Sequence, residues 1–263
     1  MNKKWLRAQK SETASWIDTD MNTKKLKSIW QSRLNDFKTI LNNLKATSSV
    51  IDVGSGPVTV LSVFPKIKRM VAVDSLNNVY KTKYRQTPYI QYLDLQAEKI
   101  NYKNSTFDAA LCINALDHME NYVKALKKMM SLIKKNGYLY LEYENTSPLS
   151  VLAAKMGYKK PLDDFHPLLL ENRNVLHILE RGGFNLVHFS AAPQLSWKKI
   201  IGIFQIVTGK KKFTTYEKKI SVLNYGTGRA LLHYVIISIE AFLFLMFPKH
   251  FAYFTKITAQ KTR

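Results

Sequence analysis

The stretch VIDVGSGPVTV, residues 50–60, carries the residues most able to do chemistry. Apolar β-formers end in Asp52, Gly54 and Gly56 follow, and Pro57 and Val58 come next. Such spacing predicts a strand that turns sharply and lets backbone N–H groups approach a bound cofactor. Asp74 closes the following apolar run, KRMVAVDS, where a carboxylate can accept hydrogen bonds from both hydroxyls of a ribose. On these residues alone NAD, FAD and S-adenosylmethionine fit equally well. His118 in ALDHME and His166 in DDFHPLLL are the candidate general bases, because neutral imidazole titrates nearest physiological pH. Asp117, Asp163 and Asp164 stand close enough in sequence to orient either ring, and no metal site is read from them. Cys112 is the single cysteine, which excludes an intrachain disulfide framework and a cysteine-built zinc site.

Elements to position these residues are legible in the periodicity. SSVIDVG, KRMVAVDS, YIQYLDL, FDAALCIN, GYLYLEYE and FNLVHFS read as six strands. Helical patterns lie between most of them, with AEKINYKNS the main loop. That alternation implies a parallel sheet with helices on both faces. YVKALKKMMSLIKKNG and ENRNVLHILERGGF read as helices ended by Asn136-Gly137 and Gly182-Gly183. Residues 22–45 repeat apolar side chains every three or four positions, which predicts one amphipathic helix. Ahead of it, Trp5, Gln9, Glu12 and Trp16 share one helical face.

The order DVGSGP, VAVD, YLDL, FDAALCINALDHME and then a helix leading to NGYLYLEY resembles the class I S-adenosylmethionine-dependent methyltransferases, and in particular their small-molecule "type 11" branch. The resemblance covers about residues 49–190. It implies an α/β, Rossmann-like, seven-stranded and mostly parallel sheet with an antiparallel last strand. It implies S-adenosylmethionine as cofactor, with Asp52, Gly54 and Gly56 at its methionine and ribose end and Asp74 on the ribose hydroxyls. Asp94 with Leu95 would face the adenine, and Asn114 would lie beside the methionyl group. His118 occupies the family's Leu-x-His position. Val58 departs from the pattern, standing where the family has a third glycine. A slightly altered turn is expected there, with Pro57 favouring the start of a helix.

Past FNLVHFS the chain departs again. Some sixty residues precede FAYFTKITAQK, residues 251–261, which reads as the last strand. This stretch holds WKKIIGIFQIVTGKKK and ALLHYVIISIEAFLFLMFPKH. Glu240 and the need to return the last strand to the sheet argue against a simple membrane crossing. What remains is a lid over the active site or an element lying in the interface of an anionic membrane. The chain carries a net charge of +21, and its last 73 residues hold 12 basic against 2 acidic side chains. Lysine outnumbers arginine 32 to 8, and no NPPY or DPPY follows the fourth strand, so nucleic acid is a poor fit as partner. MNKKWLRAQK has no apolar stretch after it and does not read as a signal peptide.

The expected organisation is a helical lid over 1–48, a cofactor-binding core over 49–190, a basic and apolar helical insertion over 191–250, and the last strand and tail over 251–263. The expected activity is methyl transfer, to oxygen, on a small or lipid-linked acceptor such as a glycan intermediate or quinone, in the cytoplasm or at the inner membrane face. An RNA methyltransferase and a non-catalytic cofactor-binding module are the alternatives.

Overall fold

The computed structural model describes residues 3–155, 168–192, 239–240 and 242–263. His166, Asp163, Asp164 and most of the 191–250 insertion lie outside them.

Seven strands form one sheet in the order β3-β2-β1-β4-β5-β7-β6. They are β1 (Ser49–Val53), β2 (Arg69–Asp74), β3 (Gln91–Asp94), β4 (Phe107–Ile113), β5 (Ile133–Glu144), β6 (Phe184–Ala192) and β7 (Phe254–Lys261). The first five run parallel. β7 lies antiparallel between β5 and β6, as the family resemblance implies for the last strand. Alternation along the strands splits the core in two. Ile51, Val71, Ala110 and Leu139 face one side, packed against α5 (Tyr122–Leu132) and α7 (Asn172–Arg181). Val50, Met70, Ala109 and Leu111 face the other, where Phe37, Ile40, Leu61 and Phe64 cover them.

That second face differs from expectation. Pro57 does not open a helix. The β1–β2 crossover holds only a 3₁₀ turn, Val60–Val63, where the Thr59 hydroxyl accepts from Leu61 N at 3.2 Å. The amino-terminal segment covers the sheet instead. It runs as α1 (Lys3–Asp18), α2 (Thr23–Ser32), a 3₁₀ turn over Leu34–Phe37 and α3 (Lys38–Leu41). The single helix expected over 22–45 is therefore broken at Arg33. There the guanidinium hydrogen-bonds to Asp36 at 3.1 Å and turns inward to the buried Glu142 of β5. Side-chain periodicity survives the break, which is why the pattern reads as continuous.

One boundary also moves. The helix expected to end at Asn136-Gly137 stops at Leu132, and Ile133 already pairs with Phe107 in the sheet. Register then shifts between Phe107 and Ala109, which pairs with Tyr138. Asn136 takes a φ of 64° in this excursion, and a Cβ on Gly137 would lie 2.7 Å from the Asp108 carbonyl. Among the described residues, helix is also found in α4 (Asn77–Tyr80), α6 (Pro148–Lys155), the segment 242–246 and α8 (Pro248–Phe251). β7 begins at Phe254, so the stretch read as strand from residue 251 starts with the end of α8.

Candidate active site

β1 is flanked by β2 on one side and β4 on the other, so chain connections leave it in opposite directions and a crevice opens at the strands' carboxyl ends. A cavity of about 330 Å³ occupies that crevice, within the range of small-molecule sites. Its floor is the glycine turn. Gly54 and Gly56 have φ of 71° and 61°, a region that a side chain disfavours. A Cβ on Gly54 would also sit 2.2 Å from the Ala115 Cβ. A Cβ on Gly56 would meet nothing within 4 Å, because it would project into open space. The turn is pinned by Gly54 N and Ser55 N donating to the Val73 carbonyl at 2.8 and 3.1 Å.

Val58 does not disturb this arrangement. Its φ is not positive, its side chain packs with Leu26, Tyr80 and Tyr84, and its carbonyl accepts from Trp30 Nε1 at 2.7 Å. A third glycine is replaced here by a contact with α2.

Asp74 ends β2 and lines the cavity. Its carboxylate accepts from Gly56 N and Leu76 N, each at 2.9 Å. Burial raises its pKa to about 6, against the lowering effect of those two N–H groups. Asp52 lies behind the floor rather than in the wall. It is 2% exposed, accepts from Thr59 Oγ1 at 2.6 Å, and its Oδ1 has no hydrogen-bond partner. Burial pushes its pKa up to about 7, helped by the neighbouring Asp74.

Asn114 and Leu95 line the cavity; Asn114 has a φ of 49° and donates its N–H to the Glu142 carbonyl at 2.7 Å. Asp94 does not line it. Its carboxylate accepts from the backbone N–H and side-chain amide of Asn78, at 3.1 and 2.6 Å. Gln96 and Ala97, just beyond β3, form that part of the wall. The acid at the end of β3 was the visible signal, whereas Gln96 has no charge to mark it.

His118 is in the wall, with Nδ1 3.7 Å from Glu12 Oε2 and Nε2 3.9 Å from Asp117 Oδ2. The roof is α1. Trp5, Gln9, Glu12 and Trp16 all face the cavity, as their common helical face predicts. Trp5 Nε1 donates to the His118 carbonyl at 3.0 Å, and Ser75 Oγ donates to Gln9 Oε1 at 2.7 Å. Tyr84 OH and Lys83 Nζ donate to the carbonyls of Trp16 and Ile17, each at 2.7 Å, which satisfies groups at the helix's end. The side wall from α2 is mostly apolar, with Leu26, Ile29, Trp30 and Met21 preceding Arg33.

Residues 24–189 match the model of a methyltransferase domain, and this match covers well over half of the chain. The chain belongs to the methyltransferase domain family. The class I S-adenosylmethionine-dependent methyltransferase read from the sequence is thus the family found. Ubiquinone biosynthesis O-methyltransferase from Xanthomonas axonopodis pv. citri is 27% identical over 156 residues, covering 54% of this chain and 61% of that relative. The chain therefore spans less than two thirds of that relative's length. Among solved structures, a Bacillus halodurans protein described as a candidate methyltransferase superposes with a TM-score of 0.56 at 17% identity, covering 89% of this chain and all of that one. Phosphoethanolamine N-methyltransferase 2 of Haemonchus contortus, in complex with S-adenosyl-L-methionine, superposes at 0.51 with 15% identity, over 89% of this chain and 53% of that one. At these identities the two structures speak for the fold of this chain alone, including its antiparallel last strand.

The group such a domain would hold fits the residues present. An open face at Gly56, a carboxylate at Asp74 and an apolar strip at Leu95 and Ala97 suit a backbone, a ribose and a base in turn. Among the described residues no cluster of His, Cys, Asp and Glu is arranged to hold a metal ion.

Proposed function

We propose that the protein transfers a methyl group from S-adenosylmethionine to a hydroxyl on an apolar, ring-bearing acceptor, with a lipid-linked phenol as the favoured class. The observation that carries this reading is a single cavity joining Asp74 and the glycine turn to the apolar wall of α2, with His118 in the same lining. The relative that methylates oxygen in ubiquinone biosynthesis supports the choice of acceptor.

Bound S-adenosylmethionine supplies a methyl group on a sulfonium, ready for in-line displacement. Asp74 holds the ribose hydroxyls, and Gly54 and Gly56 let the backbone approach. Asp52 acts from behind, tying the turn to Thr59. Gln96, not Asp94, meets the base edge, because its amide can both donate and accept while Asp94 is engaged by Asn78. Asn114 borders the reacting centre. His118 takes the proton of the acceptor hydroxyl, and the two carboxylates near its ring hold that imidazole in place. Trp5 and Trp30, hydrogen-bonded to backbone carbonyls, keep water from the crevice. His166, outside the described residues, stays a second candidate base.

The protein works, on this reading, at an anionic membrane surface from the cytoplasmic side. Phe242, Leu245 and Met246 stand at i, i+3 and i+4 on the helical segment 242–246 and are 60%, 62% and 55% exposed, with Lys249 following in α8. An apolar helical face beside basic residues suits the headgroup boundary. Among the described residues no helix is long and apolar enough to cross a membrane.

The test is a transfer assay with methyl-labelled S-adenosylmethionine and a prenylated catechol beside the same catechol without its chain. Label should enter the organic phase as an aryl methyl ether, with the prenylated compound preferred. Label appearing only on an amine or in RNA, or no turnover with either catechol, contradicts the reading. His118→Ala should lower turnover by about 100-fold while leaving cofactor affinity intact; full activity in that variant and in His166→Ala would remove both bases from the mechanism.

A further inference from the structure

The cavity wall is charged against the trend of the chain. In a protein of net charge +21, that wall holds the acidic residues Glu12, Asp74, Glu98 and Glu120. Its one guanidinium, Arg33, is paired with Glu142 and Asp36. Glu12 is the member of this set contributed by the roof. It reaches down from α1 so that Oε2 lies 3.7 Å from His118 Nδ1, and its charge is felt by Asp74, whose pKa it helps to raise. Trp16 Nε1 donates to Oε1 at 2.6 Å, which fixes the carboxylate one turn further along the helix. With 23% of its side chain exposed, Glu12 is partly withdrawn from water. In the proposed chemistry so far its carboxylate serves only to hold the His118 ring.

We infer that Glu12 is a charge-selecting residue: it recognises the sulfonium of the methyl donor and thereby makes the site prefer donor over spent product. This rests on the S-adenosylmethionine reading above. The donor's ribose belongs at Asp74 and its methyl points toward the acceptor near His118 and Asn114, so the sulfonium falls in the interval that Glu12 overlooks. During transfer the sulfur–methyl bond breaks and its electron pair stays on sulfur. A new oxygen–methyl bond forms and the hydroxyl proton goes to His118. The donor's positive charge disappears in that step. A carboxylate at short range in a half-dry site attracts the donor far more than the neutral thioether product. The same carboxylate therefore favours donor capture before the reaction and contributes nothing to retaining product afterwards. Trp16 is a positioning residue for it.

The experiment is calorimetric binding of S-adenosylmethionine and S-adenosylhomocysteine to the full chain, with no acceptor needed. Glu12→Gln keeps the side chain's shape and its contact with Trp16 while removing the charge. It should weaken donor binding about 10-fold and product binding by less than about 2-fold. Glu12→Asp should keep most of the discrimination. Trp16→Phe, which retains the ring but loses the N–H, should shift the donor-to-product ratio in the same direction as Glu12→Gln by a smaller factor. Equal weakening of both ligands would mean that Glu12 only helps to close α1, and would overturn the inference; so would unchanged affinity for both. If the unaltered protein binds neither ligand, the cofactor reading falls first and this inference with it.

Discussion

Asp74 and Asp52 are carboxyl groups that burial lifts to about 6 and about 7, and each elevation has a measurable consequence. Asp74 can accept from two ribose hydroxyls only while ionised. Cofactor affinity should therefore be level above about pH 7 and weaken as pH falls through 6; a flat profile between pH 5 and 8 would contradict the ribose assignment. Asp74→Asn should lose about 100-fold in affinity, the scale of two hydrogen bonds to a charged acceptor. For Asp52 the sign runs through stability. Between its ordinary value of 3.8 and about 7 the folded protein holds a proton that the unfolded chain does not. Stability from this group thus declines as pH rises through that window and is level above it. Asp52→Asn, which removes a buried charge, should raise the melting temperature by a few degrees at pH 8 and change it little at pH 4. Equal shifts at both pH values would count against a buried, elevated Asp52. Gly54→Ala combines a disfavoured φ with a collision at Ala115 and should cost about 3 kcal/mol in a denaturant titration. At this scale much was legible: glycines and an acid at strand ends have few other reasons to occur together. Asp94 shows in the sequence as a charge, but its hydrogen bonds from Asn78 and its place outside the cavity lining do not.

At the scale of elements, the roof and its hinge matter most. The face shared by Trp5, Gln9, Glu12 and Trp16 was visible as periodicity, and α1 does turn it to the cavity. The break at Arg33 was not visible, because its cause lies 109 residues away in Glu142. Glu142 is 1% exposed and also accepts from Tyr140 OH at 3.1 Å. Lys256 on β7 approaches it at 3.9 Å and donates to Asp36 at 2.7 Å. Burial opposes ionisation of Asp36, but the hydrogen bonds from Lys256 and Arg33 prevail and hold it below its ordinary value. This network ties the amino-terminal segment to the last strand across the top of the sheet. Arg33→Met strands a buried carboxylate and should destabilise by about 3 kcal/mol. Adding Glu142→Gln should recover most of that loss. If the double variant is as unstable as the single, packing by Arg33 and not its charge holds the break. The missing helix after Pro57 has a similar explanation: the apolar groups of α3 and the Leu34–Phe37 turn already cover that face, leaving no surface for a helix to bury.

For the whole molecule, alternation of strands and helices made the parallel part of the sheet legible, and the antiparallel return of β7 is what the family resemblance implied for the late strand. Glu240, which would be costly inside a bilayer, is buried and accepts from the hydroxyls of Ser147, just before α6, and Ser150, within it. On the proposed reading, the exposed face of Phe242, Leu245 and Met246 meets a lipid surface. Flotation with vesicles containing anionic lipid should recover the protein even at about 0.5 M salt, where long-range attraction between charges is largely screened. Replacing Phe242 and Leu245 with glutamate should abolish that salt-resistant part; equal flotation of the variant would remove the membrane from the account. The central claim is that the glycine turn and Asp74 grasp an adenosyl sulfonium donor. Its most direct measurement is a crystal structure with S-adenosylhomocysteine. The ribose hydroxyls should lie within hydrogen-bond reach of the Asp74 carboxylate, with the base between Leu95 and Ala97 and its edge on Gln96. A ligand bound elsewhere, or one whose ribose leaves Asp74 untouched, would contradict it.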